Sequence, residues 1–286
     1  MDTISFRAKP SLRTASDFKF GCVLGSGRYG KVFKCEDTTT KHLYAVKMME
    51  KSRLMKEHMF EQIERELFVQ STMIHPNLLK VYEWFHDDTY VYVVTEYSQK
   101  GDMYESIIKK NHTPSPKTIV SYLRQMFSVL IFLKENKIVH RDIKPENIIM
   151  FDDDVIKLGD FGWCDVVPND VVAPKIVGTT VYLSPEVVNR YQHDYPIDMW
   201  AIGVLLFELL TGDPPFDRDT HNETIDAIKR CSYVFTPNKQ SPFQMKCADF
   251  FSKVFVTNPQ HRMTPEAGLV FLESMVDSIT EHDVEK

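Results

Sequence analysis

At 286 residues and 33.3 kDa, with 43% hydrophobic residues, the chain can bury a substantial core and is long for one compact unit, so two lobes are expected. A net charge of -6 and a pI near 5.9 argue against a non-specific binder of nucleic acid or of anionic membrane, which needs basic patches, and suit basic partners instead. No stretch approaches the roughly 18 apolar residues of a spanning helix, the first residues lack a signal peptide's apolar core, and the five cysteines (Cys22, Cys35, Cys164, Cys231, Cys247) show no CxxC spacing, a combination expected of a reduced, intracellular protein.

Residues 1–16 are polar and without period, and read as a flexible arm, with the fold starting near Asp17. From Phe18 to Val94 short β-rich runs follow (FKFGCVL, KVFKC, LYAVKMM, LLKVYEWF, YVYVVTEY), broken once by KEHMFEQIERELFVQSTM, whose apolar positions recur at helical spacing. Residues 97–101 (YSQKG) mark a shift in composition and read as a hinge. Beyond it SPKTIVSYLRQMFSVLIFLKEN, IDMWAIGVLLFELLTG and FQMKCADFFSKVF read as helices, each opening near Pro, Ser or Asp. The expected class is therefore α+β and bilobal: a β-rich N-lobe with one main helix over 17–96, a hinge near 96–100, a mainly helical C-lobe over 101–275, and an acidic tail over 276–286.

Four motifs carry chemistry. Gly25, Gly27, Gly30 and Val32 form a GxGxxGxV stretch, in which missing side chains let backbone amides approach phosphates; a strand-like run follows it rather than a helix, which disfavours a dinucleotide site. Lys47, in the strand YAVK, can hold phosphates as a point charge if Glu66 of the helix pairs with it. His140-Arg141-Asp142-Ile-Lys144-Pro-Glu146-Asn147 is the most specific segment, and Asp160-Phe161-Gly162 follows a short β-like run. Phosphoryl transfer needs a carboxylate to orient the hydroxyl, oxygen ligands for Mg²⁺ and a cation on the transferring group; Asp142, then Asn147 with Asp160, then Lys144 supply these.

With Gly178-Thr179-Thr180-Val-Tyr-Leu-Ser-Pro-Glu186 and Asp198-Met-Trp200 added, residues 18–275 resemble the eukaryotic protein kinase domain of the serine/threonine class. Within it the chain most resembles Aurora kinases, through Trp163 after DFG, Lys51-Ser-Arg-Leu…Gln62-Ile-Glu-Arg-Glu66…Val69-Gln70-Ser71…His75-Pro-Asn77, Phe85-His-Asp87 and Pro214-Pro-Phe216-Asp…His221-Asn-Glu-Thr224. The resemblance implies Mg-ATP as co-substrate, bound by Leu24, the glycines, Val32, Ala45, Lys47, Thr95 as gatekeeper, the hinge backbone from Glu96 to Ser98, Glu146, Asn147 and Asp160. It implies Lys47 and Glu66 as an ion pair, Asp142 as base with Lys144 and Thr179 beside it, and Asn147 and Asp160 as metal ligands. Gln70, His140, Arg141, Phe161, Trp163, Asp198 and the pair Glu186–Arg262 take structural roles, while Asp102, Glu146 and Glu208 would read arginines in basic protein substrates.

Three departures stand out: the residues after Arg262 lack the usual HPW ending, the N-terminal arm is short, and Lys175 of Pro174-Lys175-Ile176-Val177 sits where a phosphothreonine is expected. A lysine brings like charge to Arg141 and carries no phosphorylatable hydroxyl, so the resemblance implies activation by a partner at the N-lobe helix rather than by that switch. It further implies action in the cytoplasm and nucleus, at spindle, centrosome or chromosomes, in mitotic chromosome segregation. Two other readings stay open: a kinase-fold scaffold that does not transfer phosphate, and a basophilic cell-cycle kinase outside the Aurora group.

Overall fold

The computed structural model describes residues 10–27, 30–57, 59–166 and 178–280. The glycine-loop residues Arg28 and Tyr29, and the segment holding Pro174, Lys175, Ile176 and Val177, lie outside the described residues. Among the described residues no helix is long and apolar enough to cross a membrane, and all five cysteines are free thiols.

The N-lobe is an antiparallel sheet of β1 (Phe18–Ser26), β2 (Gly30–Asp37), β3 (Leu43–Glu50), β4 (Val81–His86) and β5 (Tyr90–Glu96), in the order β1-β2-β3-β5-β4. Period-two alternation gives it two apolar faces. Val91 and Val93 of β5 join Met49, Val81 and Trp84 on one side, while Tyr92 and Val94 join Phe18, Val46 and Phe85 on the other. The one main helix is α2 (Phe60–Thr72), which starts later than the run at helical spacing that opens at Lys56, and a short α1 (Lys51–Lys56) precedes it. The Met59 amide turns back to the Leu54 carbonyl at 2.9 Å, closing α1 over the fully buried Leu54, so only from residue 60 can Ile63 and Leu67 lie on the sheet.

The expected arm reaches too far into the chain. The Ser11 amide bonds the Trp84 carbonyl at the edge strand β4 (2.8 Å), and Arg13 lies between Asp37 (2.7 Å) and Glu83 (3.1 Å) over the Phe18 ring. Ion pairs and ring contact tie residues 11–13 to the sheet before Asp17 is reached.

In the C-lobe, α3 (Pro116–Glu135) opens on Ser115, whose hydroxyl accepts the Thr118 amide. The short strands β6 (Ile138–Val139), β7 (Ile148–Met150), β8 (Ile156–Leu158) and β9 (Asp165–Val166) pair as β6 with β9 and β7 with β8; the Asp152-Asp-Asp154 run is the turn joining the latter two. Helices α4 (Pro185–Val188), α5 (Pro196–Thr211), α6 (His221–Arg230), α7 (Pro242–Val254) and α8 (Pro265–Val276) complete the lobe. Buried on nearly every side, α5 is its axis. Core contacts run on to Ile279, past the expected boundary at 275.

Candidate active site

The nucleotide end is set by sheet register. Val32 stands opposite Lys47 and Lys34 opposite Ala45, with Ala45 opposite Thr95, whose hydroxyl bonds the Ala45 carbonyl at 3.2 Å. Val32, Ala45, Lys47 and Thr95 thus occupy three adjacent strands beneath the glycine loop. The loop closes on itself where the Gly27 amide meets the Gly30 carbonyl at 2.9 Å, leaving Leu24 half exposed at the lip. Gly30 cannot carry a side chain: a Cβ there would stand 1.9 Å from the Met48 carbonyl oxygen. This glycine therefore serves strand contact with β3, while Gly25 and Gly27 meet no such neighbour.

Lys47 bonds the Glu66 carboxylate at 2.9 Å and lies 3.9 Å from Asp160. Burial pushes the Glu66 carboxyl up and Lys47 opposes it; at Asp160 the charge of Lys47 outweighs burial and holds the carboxyl below its ordinary range. Asp160 therefore stays anionic. One turn before Glu66 on α2, the Gln62 side-chain amide donates to the Gly162 carbonyl, a tie that the motifs did not reveal.

At the hinge the side chains are already engaged. Glu96 accepts from the Lys80 amide (2.7 Å) and pairs with Lys157 (2.5 Å), while the Ser98 hydroxyl donates to the Met150 carbonyl. The Glu96 amide is engaged as well, donating to the Lys80 carbonyl at 3.2 Å.

The catalytic loop hangs from α5. The Asp198 carboxylate accepts the amides of His140 (2.8 Å) and Arg141 (2.9 Å), and burial, opposed by His140, pushes its carboxyl up. His140 bonds the Gly159 carbonyl through Nε2 (3.0 Å), accepts the Asp142 amide on Nδ1 (3.3 Å), and meets the Phe161 ring edge-on at 4.7 Å. Beside this frame, Asn147 donates through Nδ2 to the Asp142 carbonyl (2.7 Å) and carboxylate (2.9 Å), leaving its Oδ1 as the atom able to ligate a cation.

Lys144 lies 3.1 Å from Asp142 and 2.8 Å from the Thr179 hydroxyl, which donates to Asp142 at 3.3 Å. Thr179 comes this close because the preceding Gly178 takes φ 98° and presents no Cβ; one would stand 2.6 Å from the Arg141 carbonyl. Asp142 is almost wholly buried. The arrangement is a carboxylate aimed by two donors, Asn147 and Thr179, with the Lys144 cation alongside.

The three acidic residues expected to read substrate differ in setting. Glu146 is exposed, Asp102 is half-buried and accepts the Glu105 amide, and Glu208 is buried beneath the Tyr182 hydroxyl, which donates to it. Burial, opposed by that hydroxyl and aided by Glu146, pushes the Glu208 carboxyl up to about 7. Glu186 and Arg262 form a buried two-point pair at 2.7 and 2.9 Å, and Gln70 is buried on α2.

The protein kinase domain model matches residues 18–273. The chain is 38% identical over 248 residues to the Aurora kinase of Saccharomyces cerevisiae (86% of this chain, 66% of that protein), and 34% identical over 247 residues to Aurora kinase A-A of Xenopus laevis (86% and 59%). With Aurora kinase B of Danio rerio it shares 34% identity over 260 residues, covering 91% of this chain and 79% of the relative. The chain belongs to the Aurora kinase family of protein kinases. It spans less than two thirds of the yeast and frog Aurora kinases, which extend beyond the matched region. Membership explains why the ion pair, the HRD loop and the DFG segment occur as one set. Asp165 is a site residue outside the motifs, whereas Gln62 and Tyr182 lie inside quoted segments whose spacing gave them no role.

Proposed function

We propose that the chain transfers the γ-phosphate of Mg-ATP to serine or threonine in basic protein motifs. The triangle of Asp142, Lys144 and Thr179 carries this reading, because it aims one carboxylate oxygen for a substrate hydroxyl while keeping a cation beside it. Asp142 accepts the hydroxyl proton as the new bond forms. Lys144 offsets charge on the group in flight, and Lys47, held by Glu66, fixes the nucleotide's inner phosphates. Asn147 Oδ1 and the anionic Asp160 would hold Mg²⁺, which would supply charge neutralisation across the phosphates. Glu146 with Glu208 would read arginine preceding the acceptor.

An activating partner docking on α2 is part of the same proposal, supported by Phe68 on that helix at 50% exposure and Ile74 just past it at 89%. Action in the cytoplasm and nucleus on mitotic spindle, centrosome or chromosomal targets completes it. The test is transfer of radiolabel from Mg-ATP to an arginine-rich serine peptide by the purified chain, with Asp142→Asn as control. Transfer no greater than that control would refute the proposal.

A further inference from the structure

From Asp160 to Gly178 the chain contains no serine, threonine or tyrosine. The first hydroxyl after DFG is Thr179, already bonded into the catalytic triangle. No hydroxyl-borne phosphate can therefore form on the stretch that leads from DFG to the catalytic threonine. In kinases switched by loop phosphorylation, such a phosphate pairs with arginine and orders the segment.

The arginine still needs an anion. Arg141 is buried to 6% side-chain exposure, so its fixed positive charge is costly unless compensated. Its Nε donates to the Trp163 carbonyl at 2.6 Å and a terminal nitrogen lies 3.3 Å from the Asp165 carboxylate. The approach is built into the backbone: β9 pairs with β6 so that Asp165 stands opposite Val139, two residues before Arg141. Arg141 is held at φ 70° by the Asp198 carboxylate on its amide, which fixes where its side chain departs. Strand pairing and guanidinium contact thus join the catalytic loop to the start of the activation segment.

We propose that Asp165 is the built-in counter-ion of Arg141, a positioning residue that replaces an activation-segment phosphate and makes the chain competent without one. The proposal rests on the phosphotransfer reading and extends it to regulation. A fixed carboxylate carries one charge where a phosphate carries about two, so the hold is permanent but weaker, and a partner on α2 remains free to add to it.

The experiment uses the full chain, phosphatase-treated and shown by intact mass to carry no phosphate, with kcat and KM measured for ATP and for the serine peptide. Wild-type kcat should be unchanged within about twofold by the treatment. Asp165→Asn, which keeps shape and removes charge, should lower kcat at least tenfold with KM for ATP altered less than twofold, and Asp165→Glu should restore much of the loss. Thermal unfolding of each variant separates lost positioning from lost folding; if Asp165→Asn does not fold, Asp165→Ser replaces it under the same criteria. A kcat for the charge-removing variant within twofold of wild type, or wild-type activity abolished by phosphatase, would overturn the inference alone. Wild type no more active than Asp142→Asn would overturn it together with the phosphotransfer reading.

Discussion

Removing one member of the Glu186–Arg262 pair is expected to cost far more than a surface ion pair. The guanidinium makes two bonds to one carboxylate, at 2.7 and 2.9 Å, with side-chain exposures of 0% and 3%. It also donates to the carbonyls of Pro196 (2.9 Å) and Val256 (3.0 Å) and lies over the Trp200 ring, so it joins α4, the start of α5 and the loop after α7. Arg262→Met leaves the Glu186 carboxylate buried without its cation, which costs about 3–5 kcal/mol. For a chain of this size each kcal/mol is about 2–4 °C of melting temperature, so the midpoint should fall by roughly 6–20 °C. In Arg262→Met with Glu186→Leu no uncompensated charge remains, and most of the loss should be recovered, because apolar replacement of a buried pair is often neutral. Thermal and urea unfolding of the two single variants and the double variant give the coupling directly. If Arg262→Met melts within 2 °C of wild type, or the double variant loses the sum of the singles, the pair does not hold the segment as described.

Other outcomes follow from the same geometry. Asp142→Asn should lower kcat by about 10²–10⁴ while KM for ATP stays within about twofold, measured by ADP release, since the base acts on the hydroxyl and not on nucleotide binding. Gly30→Ala places a Cβ 1.9 Å from the Met48 carbonyl, so β2 or β3 must shift; stability should fall by about 1–3 kcal/mol and KM for ATP rise, seen by unfolding and nucleotide titration. Glu208, pushed up to about 7, is neutral below that value and anionic above it, so KM for an arginine-bearing peptide should fall as pH rises through about 7 and Glu208→Gln should flatten the slope. Its folded value lies above the ordinary 4.5, so its contribution to stability is full below about 4.5 and is lost as pH rises through about 7.

What the sequence disclosed divides by range. Strand, glycine loop and strand were legible because alternation and glycine spacing are local, and α3 and α7 because Ser115 and Ser241 each cap them within three residues. That Asp142, Lys144, Asn147 and Thr179 would be grouped was legible because phosphoryl transfer demands particular side chains in fixed order. The start of α2 at residue 60 was not: the run at helical spacing opens at Lys56, and the tertiary choice to bury Leu54 decides it. Arg13 read as part of an arm because its partners, Asp37 and Glu83, are 24 and 70 residues away. Gln62 and Gly162 are 100 residues apart, and the Tyr182 hydroxyl meets Glu208 only after α5 is in place. No local pattern encodes such contacts.

The site is anchored unequally in the two lobes, and that asymmetry says where control can act. Asp142, Asn147, Lys144 and Thr179 are fixed to one another, and through Asp198 to the buried axis α5. The described N-lobe ties to the DFG segment run through α2 and β3: Gln62 on the Gly162 carbonyl, and Glu66 acting through Lys47 toward Asp160. Gln62 and Glu66 are four residues apart on one helix face, so displacing or rotating α2 loosens both together. A break on that side also removes the cation that holds the Asp160 carboxyl below its ordinary range. The proposed partner on the outer side of α2 would therefore govern nucleotide and metal alignment without touching Asp142, while the proposed Asp165 contact would hold the Arg141 side of the segment throughout.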